Sequence, residues 1–184
     1  MSKGSTVLER HFTKIFWIST AILAVVIFFA YGYNPISDLS TGNGKPVTPL
    51  QIQSLQDDTA VTIGPETGRP MVLHFWSSSC PVCRQDMVYL EQFHQAHGGN
   101  VQVTGISLTG LKADARNFIE KPGTTYLQGI ANPVDLTPYR ITSLPTTLLV
   151  DQQGQILQRI NSPLTKGMLE NTMPFLFRQL VDQY

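Results

Sequence analysis

The chain has 184 residues, 42% of them apolar and 14% charged, with a formal net charge of zero. That is material for one core and not for a polyelectrolyte, which argues against nucleic acid as a partner. Two cysteines exclude a multi-disulfide framework, and their close spacing leaves a redox pair, half of a metal site, or two buried thiols.

Residues 1–14 carry Lys3, Arg10 and Lys14 against Glu9 and form a short basic N-terminus. Residues 15–33, IFWISTAILAVVIFFAYGY, hold no charge, and as a helix their roughly 28 Å match the hydrocarbon thickness of a bilayer. The basic flank predicts a single span with the N-terminus in the cytoplasm and the remainder exported, and Trp17, Tyr31 and Tyr33 suit the two interfacial belts. A cleaved signal peptide ending near Ala30-Tyr31-Gly32 is the competing expectation, and it exports the same domain. Residues 34–46, rich in Pro, Gly, Ser, Thr and Asn, read as a spacer.

The domain proper is expected over 47–184. Leu50 to Leu55 and Ala60 to Ile63 are short β-like runs around Asp57-Asp58, a hairpin preceding the main sheet. Met71 to Trp76 is an apolar strand; from Pro81 the period becomes helical, with Cys83, Met87, Leu90 and His94 on one face and Gly98-Gly99 closing the helix. Val101 to Leu108 is a second buried strand and Ala113 to Glu120 a short helix. A short strand at Thr125 to Gln128 and one helical turn between Pro133 and Pro138 follow. Thr146 to Asp151 and Gln155 to Ile160 make a second hairpin, and Leu169, Met173, Leu176 and Leu180 mark a final amphipathic helix that Pro174 kinks or breaks.

His74 to Asp86, HFWSSSCPVCRQD, joins the first apolar strand to its helix and contains both cysteines. A Cys-x-x-Cys pair at a helix start puts Cys80 where free N–H groups and the positive dipole end favour a thiolate, while Cys83, one turn on, can resolve a mixed disulfide. VLHFWSSSCPVCRQD at Val72 to Asp86 and LPTTLLVDQQGQI at Leu144 to Ile156 resemble the membrane-anchored thioredoxin-like proteins of the TlpA, ResA, DsbE (CcmG) and ScsD type, over about Val47 to Leu180. The resemblance implies an α/β thioredoxin-like fold, a central mixed sheet flanked by helices, here with an N-terminal β-hairpin extension and one transmembrane helix.

It further implies a protein-disulfide oxidoreductase in which Cys80 attacks and Cys83 releases, with no cofactor beyond that disulfide and no metal. Leu144-Pro145-Thr146 matches the loop whose cis-proline faces the cysteines and whose backbone can bind an extended substrate. Asp86 stands where relatives carry a glutamate and is a candidate for tuning thiol acidity or shuttling a proton, against a solvated acid in the first helical turns. His74 stands at thioredoxin's buried aspartate; it can accept the Cys83 proton or be a satisfied core histidine. Trp76 is expected to pack under the helix. Ser79 replaces the usual tryptophan before the first cysteine, which bears on substrate preference and potential.

The expected setting is a bacterial inner membrane with the domain in the periplasm. Protein thiols or disulfides are the expected substrates, and a transmembrane thiol reductase is a candidate electron donor, the reductase direction being slightly favoured. A client-binding module for an unfolded apocytochrome is the alternative. A copper chaperone using His74, Cys80 and Cys83 is a lesser one. Structural zinc lacks a second ligand pair, and a thiol peroxidase lacks its motif ahead of Cys80.

Overall fold

The computed structural model describes residues 46–165 and 167–172, together with Trp17. The rest of the expected anchor and the spacer up to Lys45 lie outside the described residues, as does the final helix beyond Thr172. Among the described residues no helix is long and apolar enough to cross a membrane.

The strands are β1 (Leu50–Ser54), β2 (Ala60–Ile63), β3 (Met71–Trp76), β4 (Gln102–Ser107), β5 (Leu127–Ala131), β6 (Thr146–Val150) and β7 (Ile156–Ile160). They form one seven-stranded sheet in the order β2-β1-β5-β4-β3-β6-β7. Its centre is parallel, with β3 on β4 and β4 on β5, and both expected hairpins extend it antiparallel, β1 onto β5 and β6 onto β3. The fold is thus the thioredoxin-like mixed sheet. β3, central and apolar, is buried at all six positions, as a strand covered on both faces must be. β1, nearer the edge, alternates, turning Leu50 and Ile52 inward and Gln51 and Gln53 outward.

Helix α1 (Cys83–His97) connects β3 to β4, and α2 (Lys112–Glu120) leads from β4 towards β5. Two successive crossovers moving the same way across a sheet put both helices on one face, because each is right-handed. The packing agrees: Phe118 of α2 and Cys83 and Met87 of α1 share a cluster with Trp76. Below this, Val72, Leu90, Phe93, Val103, Tyr126 and Leu149 fill the same face. The opposite face holds Leu50, Ile52, Met71, Leu73, Phe75, Ile106, Leu148 and Val150, against which Tyr139, Leu136 and Ile141 pack from the β5–β6 connection. The expected helical turn there is the 3-10 turn Thr137–Tyr139, and the Tyr139 ring lies 5.4 Å from that of Phe75.

Two expectations shift. α1 begins at Cys83 rather than Pro81, because Val82 is the N-cap and Cys80 and Pro81 form the turn before it. It closes at Gly98, as expected, although in right-handed conformation, the Gly98 N–H donating to His94 O at 2.7 Å. β5 runs from Leu127 to Ala131 instead of Thr125 to Gln128. Gly129 obscures this strand in the sequence; in the fold it leaves room for Ile52 of β1, whose Cδ1 lies 2.6 Å from where a Cβ would stand.

Candidate active site

β3 ends at Trp76, and its carbonyl accepts Leu108 N–H at 2.8 Å, tying the exit of β3 to the exit of β4. The serine triplet then turns the chain. Thr109 Oγ1 accepts Ser78 N–H at 2.8 Å and lies 3.3 and 3.2 Å from the Ser77 and Ser78 hydroxyls, and Ser77 and Ser79 share a bond of 2.9 Å. Ser79 itself is exposed, so the position of the missing tryptophan opens to solvent. Cys80 N–H donates to Ser77 O at 3.0 Å and Cys83 N–H to Cys80 O at 3.2 Å. Pro81, which has no N–H to satisfy, fits this turn.

Cys80 and Cys83 are joined as a disulfide, with Cα atoms 5.4 Å apart. Cys80 keeps 9% exposure and Cys83 none. The pair belongs to the cluster of Leu55, Trp76, Met87, Ala115 and Phe118, and Leu144 packs against it. The Leu144–Pro145 peptide is cis. Thr146, the first residue of β6, pairs with Phe75 and donates from Oγ1 to Ser143 O at 2.8 Å, which holds the proline loop to the strand that leads into the cysteines.

Asp86 is one turn beyond Cys83 on the inward side of α1 and is fully buried, so the solvated acid is ruled out. Its Oδ1 accepts Leu164 N–H at 2.9 Å, while Oδ2 is buried without a hydrogen-bond partner. Burial pushes the carboxyl up to about 6, the Leu164 bond offsetting part of the rise.

His74 is also fully buried, with Nδ1 3.0 Å from Thr147 Oγ1 on the neighbouring strand and Nε2 without a partner. It is therefore a half-satisfied core histidine. Burial alone brings its ring down to about 3, so it is neutral at pH 7.

Trp76 packs under the helix as expected. Its ring stacks on Phe118 at 5.2 Å and 15°, and the Arg84 guanidinium caps Phe118 at 4.4 Å. Trp76 Nε1 donates to Gln128 Oε1 at 3.0 Å. The Gln128 amide lies across Gly105, where a Cβ would stand 1.9 Å from Oε1.

Gln128, Thr109, Phe118 and Arg84 escaped the sequence reading. For Gln128 the only signal was a lone amide in an otherwise buried strand; its partner is 52 residues away. The proposed copper ligands do not gather: among the described residues no three His, Cys, Asp or Glu side chains form a group able to hold a metal ion.

The arrangement matches known proteins along most of its length. The Redoxin family model covers residues 42–177. Thiol-disulfide oxidoreductase ResA of Halalkalibacterium halodurans is 25% identical over 174 residues, 89% of this chain and 96% of that one. Thiol:disulfide interchange protein DsbE of Xylella fastidiosa is 27% identical over 164 residues, 84% of this chain and 82% of that one. Among solved structures, a thiol:disulfide interchange protein from Bacteroides sp. superposes with a TM-score of 0.63 at 20% identity, over 73% of this chain and 90% of that one. StoA from Bacillus subtilis does so with 0.59 at 22% identity, over 70% and 97%. These structures bear out the thioredoxin-like fold, and the named relatives share the thiol chemistry that a bonded cysteine pair at the end of β3 can perform. The chain belongs to the Redoxin family and is a thiol-disulfide oxidoreductase.

Proposed function

We propose that the protein is tethered to the bacterial inner membrane by residues 15–33, faces the periplasm, and reduces disulfides of protein substrates. The observation that carries the assignment of roles is the difference in exposure: only Cys80 of the pair can be reached from solvent. In the dithiol form the Cys80 thiolate attacks one sulfur of a substrate disulfide. That bond breaks, a Cys80–substrate disulfide forms, and the departing thiolate takes a proton from water. Cys83 then loses its proton and attacks Cys80 Sγ. The second substrate thiolate leaves, two electrons have passed to the substrate, and Cys80–Cys83 is again a disulfide. A transmembrane thiol reductase is the candidate donor that restores the dithiol.

Asp86 supports the second step best. A buried carboxyl with one oxygen unpartnered and its acidity weakened to about 6 is ionised at pH 7, yet takes a proton more readily than an exposed aspartate. His74 is the other candidate acceptor, with a free Nε2, although the burial that keeps it neutral opposes protonation. The substrate backbone is assigned to Leu144-Pro145-Thr146, because Leu144 packs against the cluster that contains both cysteines.

Incubation of full-length Cys83→Ser with a protein disulfide substrate should accumulate a mixed disulfide visible on non-reducing gels. Cys80→Ser should accumulate none, and both should lose turnover. Full activity in either variant overturns the roles. The reduction potential of the pair checks the direction: a value more oxidising than the glutathione pool reverses it.

A further inference from the structure

We infer that the cleft beside the serine turn seats an extended, uncharged stretch of the polypeptide substrate, next to the cysteine that reacts with Cys80. This rests on the protein-reducing role proposed above and adds where the substrate lies and what chemistry it brings. The cleft has a volume of about 880 Å³. It is bounded by the β1–β2 hairpin, the loop Leu108–Gly110 and the chain from Ile130 to Ile141. It therefore opens at the carboxyl ends of the parallel strands β4 and β5, where open α/β sheets receive their ligands. Its size is that of a ligand site rather than a packing defect.

Three contacts make it continuous with the redox site. Thr109 lines the cleft and is also the residue that holds Ser78. Leu108 lines it and is bonded through its N–H to Trp76 O. Ile130 lines it and packs against the cluster that contains both cysteines. The cleft thus begins at the loop bonded to the turn that carries Cys80.

The lining selects the occupant. Leu108, Ile130, Leu136 and Ile141 offer apolar surface, and Gln53, whose side chain makes no hydrogen bond to the described residues, offers an amide that donates and accepts as a peptide backbone does. Asp58 at the rim is already paired with Lys112 and Arg116. The remaining charges, Asp135 and Arg140, are one of each sign. With its paired cations counted the site carries a net charge of only one, too weak a field to concentrate phosphates, nucleotides or strongly charged peptides. It suits neutral backbone with an apolar side chain.

The test uses the reduced full-length protein and measures rate constants for two kinds of disulfide. One is the small uncharged 2,2′-dithiodipyridine. The others are thiopyridyl mixed disulfides of single-cysteine peptides that carry zero, two or four Ala/Leu residues on one side of the cysteine. The peptide rate, divided by the rate for the small disulfide, should rise with length on one side by roughly tenfold, the worth of one buried apolar side chain. Replacing the flanking residues by Asp or by Lys should remove the rise with either sign.

Gly110, at the rim, has open space where a Cβ would stand. Gly110→Trp therefore puts a ring into the mouth of the cleft and should return the ratio to that of the shortest peptide. A ratio independent of length, or one that keeps its rise in Gly110→Trp, overturns the inference. Failure to reduce 2,2′-dithiodipyridine at all would instead overturn the assignment of Cys80.

Discussion

The two faces of the sheet are filled by opposite rules. On the face away from α1, the alternate residues Met71, Leu73 and Phe75 of β3 meet Leu148, Val150 and Ile106 in a mostly apolar core, to which Thr104 and Thr146 add buried hydroxyls and Gln102 a buried amide oxygen. On the face under α1, the other residues of the same strand are Val72, His74 and Trp76, and around them lie Gln128, Thr147, Asp86 and Tyr126, all fully or nearly fully buried. Several of their atoms lack partners: His74 Nε2, Asp86 Oδ2, Tyr126 Oη and Gln128 Nε2. Such groups cost stability that an apolar residue would not, and they cluster on the side where the cysteines sit. One strand therefore contributes stability with its odd residues and chemistry with its even ones.

The sharpest way to break this contrast is a cavity on the apolar face. Phe75→Ala should cost about 3 to 5 kcal/mol by removing a fully buried ring. The reduction potential of the cysteine pair should stay where it was. Denaturant unfolding and a glutathione-coupled titration read the two quantities, and a shifted potential would show that the faces are not separable.

A smaller effect is expected on the α1 side from Glu91, which accepts Thr125 N–H at 2.7 Å and Thr125 Oγ1–H at 2.6 Å and so fastens α1 to the chain entering β5. Glu91→Leu removes both bonds to the carboxylate and should cost about 1 to 3 kcal/mol. Hydrogen exchange should quicken first at Thr125 and along β5. A loss spread evenly over the sheet would mean that Glu91 only adds to global stability.

The finest probe is pH, applied to the oxidised protein. Burial keeps His74 near 3 against its ordinary 6.5, so between those values the unfolded chain binds a proton that the native chain does not. Its contribution is complete above 6.5 and is lost as pH falls, by up to about 1.4 kcal/mol per pH unit. Asp86 behaves oppositely. Raised to about 6 from 3.8, it binds a proton in the native state first, so its contribution grows as pH falls through that window. From about pH 4 to 6 the two slopes oppose one another. Asp86→Asn should therefore steepen acid destabilisation there, and His74→Asn should flatten or invert it. Parallel stability curves for the three proteins would show that neither group has the shifted acidity assigned to it.

Much of the fold was legible because its signals are local. The apolar run of β3, both hairpins and the period of α1 lie within single short windows, and the Cys-Pro-Val-Cys turn carries its own chemistry. β5 begins two residues and ends three residues later than expected, because Gly129 looks like a strand breaker until Ile52 is seen to fill its space. The site beyond the cysteines was harder to read. Trp76 meets Gln128 across 52 residues, Asp86 meets Leu164 across 78, and Ser78 meets Thr109 across 31. No periodicity announces such pairs, since only the tertiary fold brings them together.

The Gln128 amide lying across Gly105 links the history of three positions. Any side chain at 105 would displace the amide, and a displaced amide would leave Trp76 Nε1 without its acceptor. A change at Gly105 is therefore felt at Gln128 and at Trp76, each on a different strand. A side chain introduced at 105 alone costs the tryptophan its hydrogen bond. In descendants of this chain the glycine, which contributes no side chain of its own, should be as slow to vary as the tryptophan it serves.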